Sequence, residues 1–484
     1  MNESARRLGS VVMVLWLGGC AAVGPDFVLP EAPAVQRYTR LDPALVDAGV
    51  DRPQHVKAGS VPAAWWRSLG SPALDSLVEQ ALARSPTMES AEATLAQARE
   101  GVAAARGGLY PQLTLSASAG RGNQAGAGAA GAINSASLGA GLAYSLDAFG
   151  ATSRRVEQAQ ALSDLQQAQW QAARLTLAGG TVAQAVALAS ATEQMRAVQD
   201  IIAADQRNLD LVRLSQAAGK SAGLDVLTAE SQLSSDRALL PPLRQQASVA
   251  RHALAALTGQ MPAEGPAPVF DFGILALPAD LPLALPSQLV RRRPDIQAAE
   301  AQLHASSAAI GIATAALYPS LTLSASFSSA AAGQGALFAH PRGLWGLAAQ
   351  LLAPVFDGGS LQAQRAAAID AYAAELGRYR QVVLLAFGQV ADVLRGLGHD
   401  DELVETQLKA LEAARATLDL TQQSYQAGQA SFLQIIEAQR LYQQARLGHV
   451  RAQAQRYADT VQFFVAMGGD TGTATAASMP GNAP

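Results

Sequence analysis

From residue 321 the chain alternates strictly. Leu321, Leu323, Ala325 and Phe327 fall on one side, and Thr322, Ser324, Ser326 and Ser328 on the other. A period of two predicts a strand with one apolar and one polar face. The same phase occurs earlier, where Leu113, Leu115, Ala117 and Ala119 stand opposite Thr114, Ser116 and Ser118. The two segments sit in near-identical decapeptides, LYPQLTLSAS at 109–118 and LYPSLTLSAS at 317–326. Each is followed by a second alternating run, with Leu138, Ala140, Leu142, Tyr144 and Leu146 on one face of the first. Trp345, Leu347, Ala349, Leu351 and Ala353 occupy the matching places of the second. Two hairpins are therefore predicted.

The rest of the chain reads as helix. After Pro294, well suited to the first helical position, residues 295–316 have helical composition until Tyr318-Pro319 ends it. Behind each hairpin runs a long helical pattern, from about 151 to 214 and from about 358 to 426, some 95–105 Å at 1.5 Å per residue. Apolar positions at Ile369, Tyr372, Leu376, Tyr379 and Val383 recur at spacings of 3 and 4, the mark of coiled-coil-like packing. Only Gly179-Gly180 interrupts the first. Gly219 and Gly428 each precede a helix of roughly 38 residues, ending near 258 and 467, and Pro241-Pro242 should break or kink the earlier one. The shorter helices, end to end, roughly match the long one, which predicts four helical columns per chain.

These correspondences hold at a nearly constant offset, so the chain is a duplication. It divides into a segment at 20–71, a first repeat at 72–258 with its hairpin at 112–148, and a Pro-rich linker at 259–288. A second repeat at 289–467 carries a hairpin at 320–356, and a tail at 468–484 has the composition of disorder. The fold class expected is mainly α with a small β part.

Composition narrows the function. Of 484 residues, 15% are charged and the net charge is −4. There is no basic stripe, which argues against a nucleic-acid partner. The six histidines lack metal-ligand spacing. No Walker loop, dinucleotide turn or nucleophile elbow is present, so no catalytic residue, metal or cofactor is expected. The Trp65-Trp66 pair suits packing rather than a membrane belt. The Arg291–Asp295 cluster suits a helix start with local salt bridging.

Residues 1–19 read as a signal peptide: Arg6 and Arg7, an apolar run from Val11 to Leu17, then Gly18-Gly19. The run is too short to span a bilayer. Cys20, the only cysteine, follows directly, as in the lipobox of bacterial lipoproteins, and would carry the lipid anchor. In lipoproteins generally, Ala21 rather than Asp after it implies the outer membrane. Exported strands of nine or ten residues have the length of tilted membrane strands. Lipid tolerates no unpaired backbone, so such a sheet must close. Two copies would give eight strands and a filled interior. Three would give twelve and a lumen. In that closure Thr114, Ser116, Ser118, Thr322, Ser324 and Ser326 line water and the leucines meet lipid.

The ordered set Cys20, Val23-Gly24-Pro25-Asp26-Phe27, Trp65-Trp66, Arg292-Arg293-Pro294-Asp295-Ile296 and Tyr425-Gln426-Ala427-Gly428 resembles the TolC-type outer-membrane efflux proteins. The resemblance is specifically to the lipoprotein branch, the NodT-like factors serving resistance-nodulation-division pumps. The resemblance covers nearly the whole mature chain. It implies a homotrimer with a 12-strand β-barrel and a 12-helix periplasmic α-barrel, docked to a periplasmic adaptor and an inner-membrane pump. It implies a passive duct for small toxic compounds, not an enzyme. The tip turns would be those at Gly219-Lys220 and Gly428. Family members close that end with apolar and acidic rings, here matched by Leu433 and Glu437. A second acidic position of relatives is Gln434 in this chain, and Asp225 is its equivalent in the first repeat. Tyr425 matches a tyrosine that helps latch the coils shut. Two other readings stay open at this level: the duct of a type I secretion or other export system, and a lipid-anchored coiled-coil scaffold without a pore.

Overall fold

The computed structural model describes residues 22–35, 37–38, 54–123, 132–265, 270–331 and 343–469. The signal peptide expected at 1–19, Cys20, residues 124–131 and 332–342 between the paired strands, and the expected tail from 470 lie outside the described residues. The chain falls into two compact units, the first formed by 1–30, 93–167 and 298–381, the second by 31–92, 168–297 and 382–484.

The first unit holds a four-stranded antiparallel sheet. Helix α2 (Pro86–Gly107) leads into β2 (Gln112–Asn123) and β3 (Ala132–Leu146), and α7 (Pro294–Ala315) leads into β5 (Ser320–Ala331) and β6 (Gly343–Leu352). Their order is β2-β3-β5-β6, so the two hairpins join through β3 and β5 and leave β2 and β6 as edges. Aspartates start the helices that follow. Asp147 accepts from the amides of Thr152 and Ser153 at the start of α3 (Ala151–Ala217), and Asp357 from those of Gly359 and Leu361 at the start of α8 (Ser360–Gln426). Each satisfies N–H groups that a helix start leaves without partners.

A strap of residues 22–29 lies on this unit. The Val23 amide donates to the Phe149 carbonyl at 3.1 Å. Arg154, 4% exposed, donates to the carbonyls of Ala22, Val23 and Gly24 and to the carboxylates of Asp26 and Glu157. Phe27 stacks on His304 at 4.4 Å, and the His304 ring is hydrogen-bonded to Glu157 at 3.0 Å. Gly24 has φ of +99°, and a Cβ there would come within 2.5 Å of the Gly311 Cα. Only glycine meets both conditions.

In the second unit the core surrounds a 3₁₀ turn at Trp65–Leu69 and α1 (Pro72–Arg84). Both tryptophans are buried, and Trp65 stacks on Phe464 of α9 (Phe432–Ala466) at 5.0 Å. Arg293 donates to the Asp295 carboxylate twice, at 3.0 and 2.7 Å, and to the Ala466 carbonyl at 2.9 Å. The helix predicted across Pro241-Pro242 is two helices, α4 (Gly223–Arg237) and α5 (Leu240–Leu257), with proline in the first turn of the latter. Helix α3 runs unbroken through Gly179-Gly180. A Cβ on Gly179 would lie 2.5 Å from Val465, so this glycine permits close helix contact.

Two stretches carry structure that their patterns conceal. Within the N-terminal segment, β1 (His55–Ala58) pairs in parallel with β4 (Asp280–Leu283) of the linker, and α6 (Pro286–Arg292) begins at the linker's end. Four-residue strands are too short to establish a period.

Candidate functional site

The sheet is the first functional surface. In an antiparallel ladder, facing residues share a face, and the register carries this across all four strands. Leu113 faces Leu142, which faces Ala325, which faces Leu347. Leu115 faces Ala140, then Phe327, then Trp345. This face is solvent-exposed in the single chain, with Leu115 at 80% and Leu347 at 76%. The opposite face carries Thr114, Gly141, Ser326 and Gly346 in one row, and Ser116, Gly139 and Ser328 in the next, while Leu344 and Leu352 of β6 depart from the pattern.

The structure adds a feature that alternation did not reveal. Hydroxyls stand opposite glycines: Thr114 donates to the Gly141 carbonyl at 3.2 Å and Ser135 to that of Gly120 at 3.4 Å. Ser118 pairs with Ser137 at 2.8 Å, and Ser145 with Thr322 at 3.2 Å. The small partner leaves the carbonyl open to the hydroxyl, so part of the polarity is satisfied within the wall. The signal was present as glycines at alternate positions of the facing strand.

The tips are the second surface, in the other unit. After α3 the Lys220 amide donates to the Ser215 carbonyl, with Gly219 at φ +70°. After α8 the Gln429 amide donates to that of Ser424, with Gly428 at φ +74°. Both are the left-handed stop of a Schellman motif. Each turn then meets a capped helix. Asp225 accepts from the Ala222 amide at 3.1 Å and the Ser221 hydroxyl at 2.7 Å, and Gln434 accepts from the Ser431 amide at 2.7 Å. These two equivalent positions thus fasten helix starts. Tyr425 packs with Phe432, Ile436, Leu209, Val212 and Leu233 in a small apolar cluster. Leu433 is exposed. Glu437 is paired with Arg440, one turn on, at 2.6 Å, which lowers its carboxyl below the usual range.

Two buried acidic nodes in this unit escaped the sequence reading. Asp205 and Asp236 meet between α3, α4 and α9. Asp400 meets Asp459 between α8 and α9, beside Arg456 and its partner Asp401. On helices, isolated aspartates read as solvated, and only packing brings these together. Among the described residues no group of three or more His, Cys, Asp or Glu is arranged to hold a metal ion.

A family model described as outer membrane efflux protein matches residues 77–260 and 285–469, once for each repeat. The chain is 33% identical over 451 residues to the pyoverdine export outer membrane protein OpmQ of Pseudomonas aeruginosa, covering 88% of this chain and 93% of that protein. It is 29% identical over 441 residues to nodulation protein T of Rhizobium leguminosarum bv. trifolii, covering 88% and 89%. The solved structure of the outer-membrane channel OprN aligns with a TM-score of 0.82 and 30% identity, over 93% of this chain and all of the other.

Proposed function

The chain belongs to the outer membrane efflux protein family, and from that premise we propose that three copies join their four-stranded sheets into one twelve-stranded barrel. The protein is an outer-membrane channel, the exit duct of a tripartite efflux pump. It conducts small toxic compounds passively and performs no catalysis. An inner-membrane resistance-nodulation-division pump supplies the energy, and a periplasmic adaptor docks at the turns around Gly219-Lys220 and Gly428. Cys20 carries the lipid anchor.

The observation that carries this reading is the two-faced sheet with its exposed edges. A row such as Leu113–Leu142–Ala325–Leu347 left in water is an aggregation hazard, whereas against lipid it is what a barrel exterior needs. Inside, Thr114, Ser116, Ser118, Thr322, Ser324 and Ser326 offer a neutral polar wall suited to passage without tight binding. A scaffold without a pore leaves the leucine face unexplained. Near the tip, Leu433 and Glu437 form the constriction, Tyr425 latches it, and Asp225 and Gln434 hold the helix starts behind it.

The test is extraction of outer membranes in mild detergent. A heat-modifiable band at three times the chain mass, conducting ions in planar bilayers, is expected. A stable single-copy particle without conductance would refute the proposal.

A further inference from the structure

Three helices of the second unit meet at a carboxylate pair that conduction does not use. Asp205 on α3 is 3% exposed and Asp236, the penultimate residue of α4, is 4% exposed. From α9, Gln439 donates to Asp205 Oδ1 at 2.5 Å and Gln443, one turn on, donates to Asp236 Oδ2 at 3.1 Å. Gln232 donates to the same Asp236 oxygen at 2.8 Å. Asn208 Nδ2 donates to Gln439 Oε1 at 2.7 Å, which turns the Gln439 NH₂ toward Asp205. The second Asp205 oxygen, Oδ2, is buried and receives no such donor.

Every side chain that donates to the pair is therefore a neutral amide. The nearby cations are engaged elsewhere: Arg237 of α4 with Gln206, Arg213 of α3 with Glu230, Arg440 of α9 with Glu437, and Arg446 of α9 with Asp200. Arg207 and Asp210 of α3 are exposed. Two adjacent buried carboxylates without a cation do not both ionise at neutral pH.

We propose that Asp205 and Asp236 form a proton-operated clasp, which holds α4 and α9 against α3 while one proton is shared and loosens them when it leaves. Burial, then the hydrogen bond with Asp236 and the charge of that residue, push the Asp205 carboxyl up to about 8, against the donation from Gln439. A carboxyl raised on folding contributes stability that is complete below its unfolded value near ~3.9. That contribution is lost as pH rises through about 8. The clasp is shut at neutral pH and opens in alkali. Leu209, Leu233 and Ile436 flank it in the apolar cluster that also holds Tyr425, so its release acts on the packing of the tip helices.

Hydrogen exchange of the full chain in detergent tests this, corrected for the intrinsic pH dependence of exchange. From about pH 6 to about pH 9.5, segments 223–237 and 432–443 should lose protection about tenfold or more, while strand 112–123 keeps its own. Asp205→Asn preserves the shape and stays neutral, so its profile should be flat, and Asp236→Asn should behave alike. A flat wild-type profile, or an undiminished loss in both variants, overturns the clasp. If one variant fails to fold, the other serves the comparison, and the wild-type profile alone can refute it. No pore enters the readout, so the outcome is separable from the conduction reading.

Discussion

At the residue scale, the side chains that matter most are charged groups held in buried or paired settings. Arg154 alone gathers three carbonyls and two carboxylates of the strap and its own helix. Arg154→Met keeps the stem and removes the fork. The strap is expected to detach, with a loss of about 3 kcal/mol from charge-assisted bonds in a largely buried site. Thermal unfolding and faster limited proteolysis within 22–30 would register it. Asp400 offers a pH signature. Burial, then the hydrogen bond with and charge of Asp459, push its carboxyl up to about 7, with Asp401 adding to this and Arg456 opposing it. Its contribution is complete below about 4 and lost as pH rises through about 7. Wild-type protein should lose more thermal stability than Asp400→Asn between about pH 5 and 8, and parallel curves would refute this. Glu437 differs, because Arg440 already offsets its charge. In planar bilayers Glu437→Gln should lower cation preference slightly, and Arg440→Gln should raise it more. Of these groups only Glu437 was singled out from the sequence, through the resemblance, and its role at the tip is a proposal. Residues such as Asp205 and Gln439 lie more than two hundred positions apart, and a hydrophobic period does not report where a polar side chain finds its partner.

At the element scale the sequence was most informative where its period was longest. The alternation around Leu113 and Leu321 and the long helical runs behind them are realised as β2, β5, α3 and α8. The adjacency of β3 and β5 was not legible, because two isolated hairpins have the same alternation as one continuous sheet. The short strands β1 and β4 stayed hidden for want of length. The sheet makes a paired prediction. Leu115→Lys places a charge on the apolar face and should cost about 2–4 kcal/mol at mid-bilayer, reducing the heat-modifiable oligomer in outer membranes. Ser116→Lys, one residue on and on the other face, should assemble normally and shift the current toward anions. Equal assembly of both variants would mean that the two faces are not differentiated by lipid.

At the scale of the whole molecule, duplication was legible from a repeated decapeptide, and the family model matching twice agrees with it. Edge strands β2 and β6 are unlike each other. A rotation axis along the membrane normal preserves strand direction, so β2 against β2 of another copy would be parallel, while β2 against β6 continues the antiparallel alternation. In the proposed ring of three, each copy is thus a hook and an eye, joined in one sense only. Such a circle is vulnerable to sabotage from within. If a chain with one ruined edge were made in equal amount with the intact one, only about one in eight rings of three would be free of it. A single damaged gene copy would then poison most of the channels in the cell.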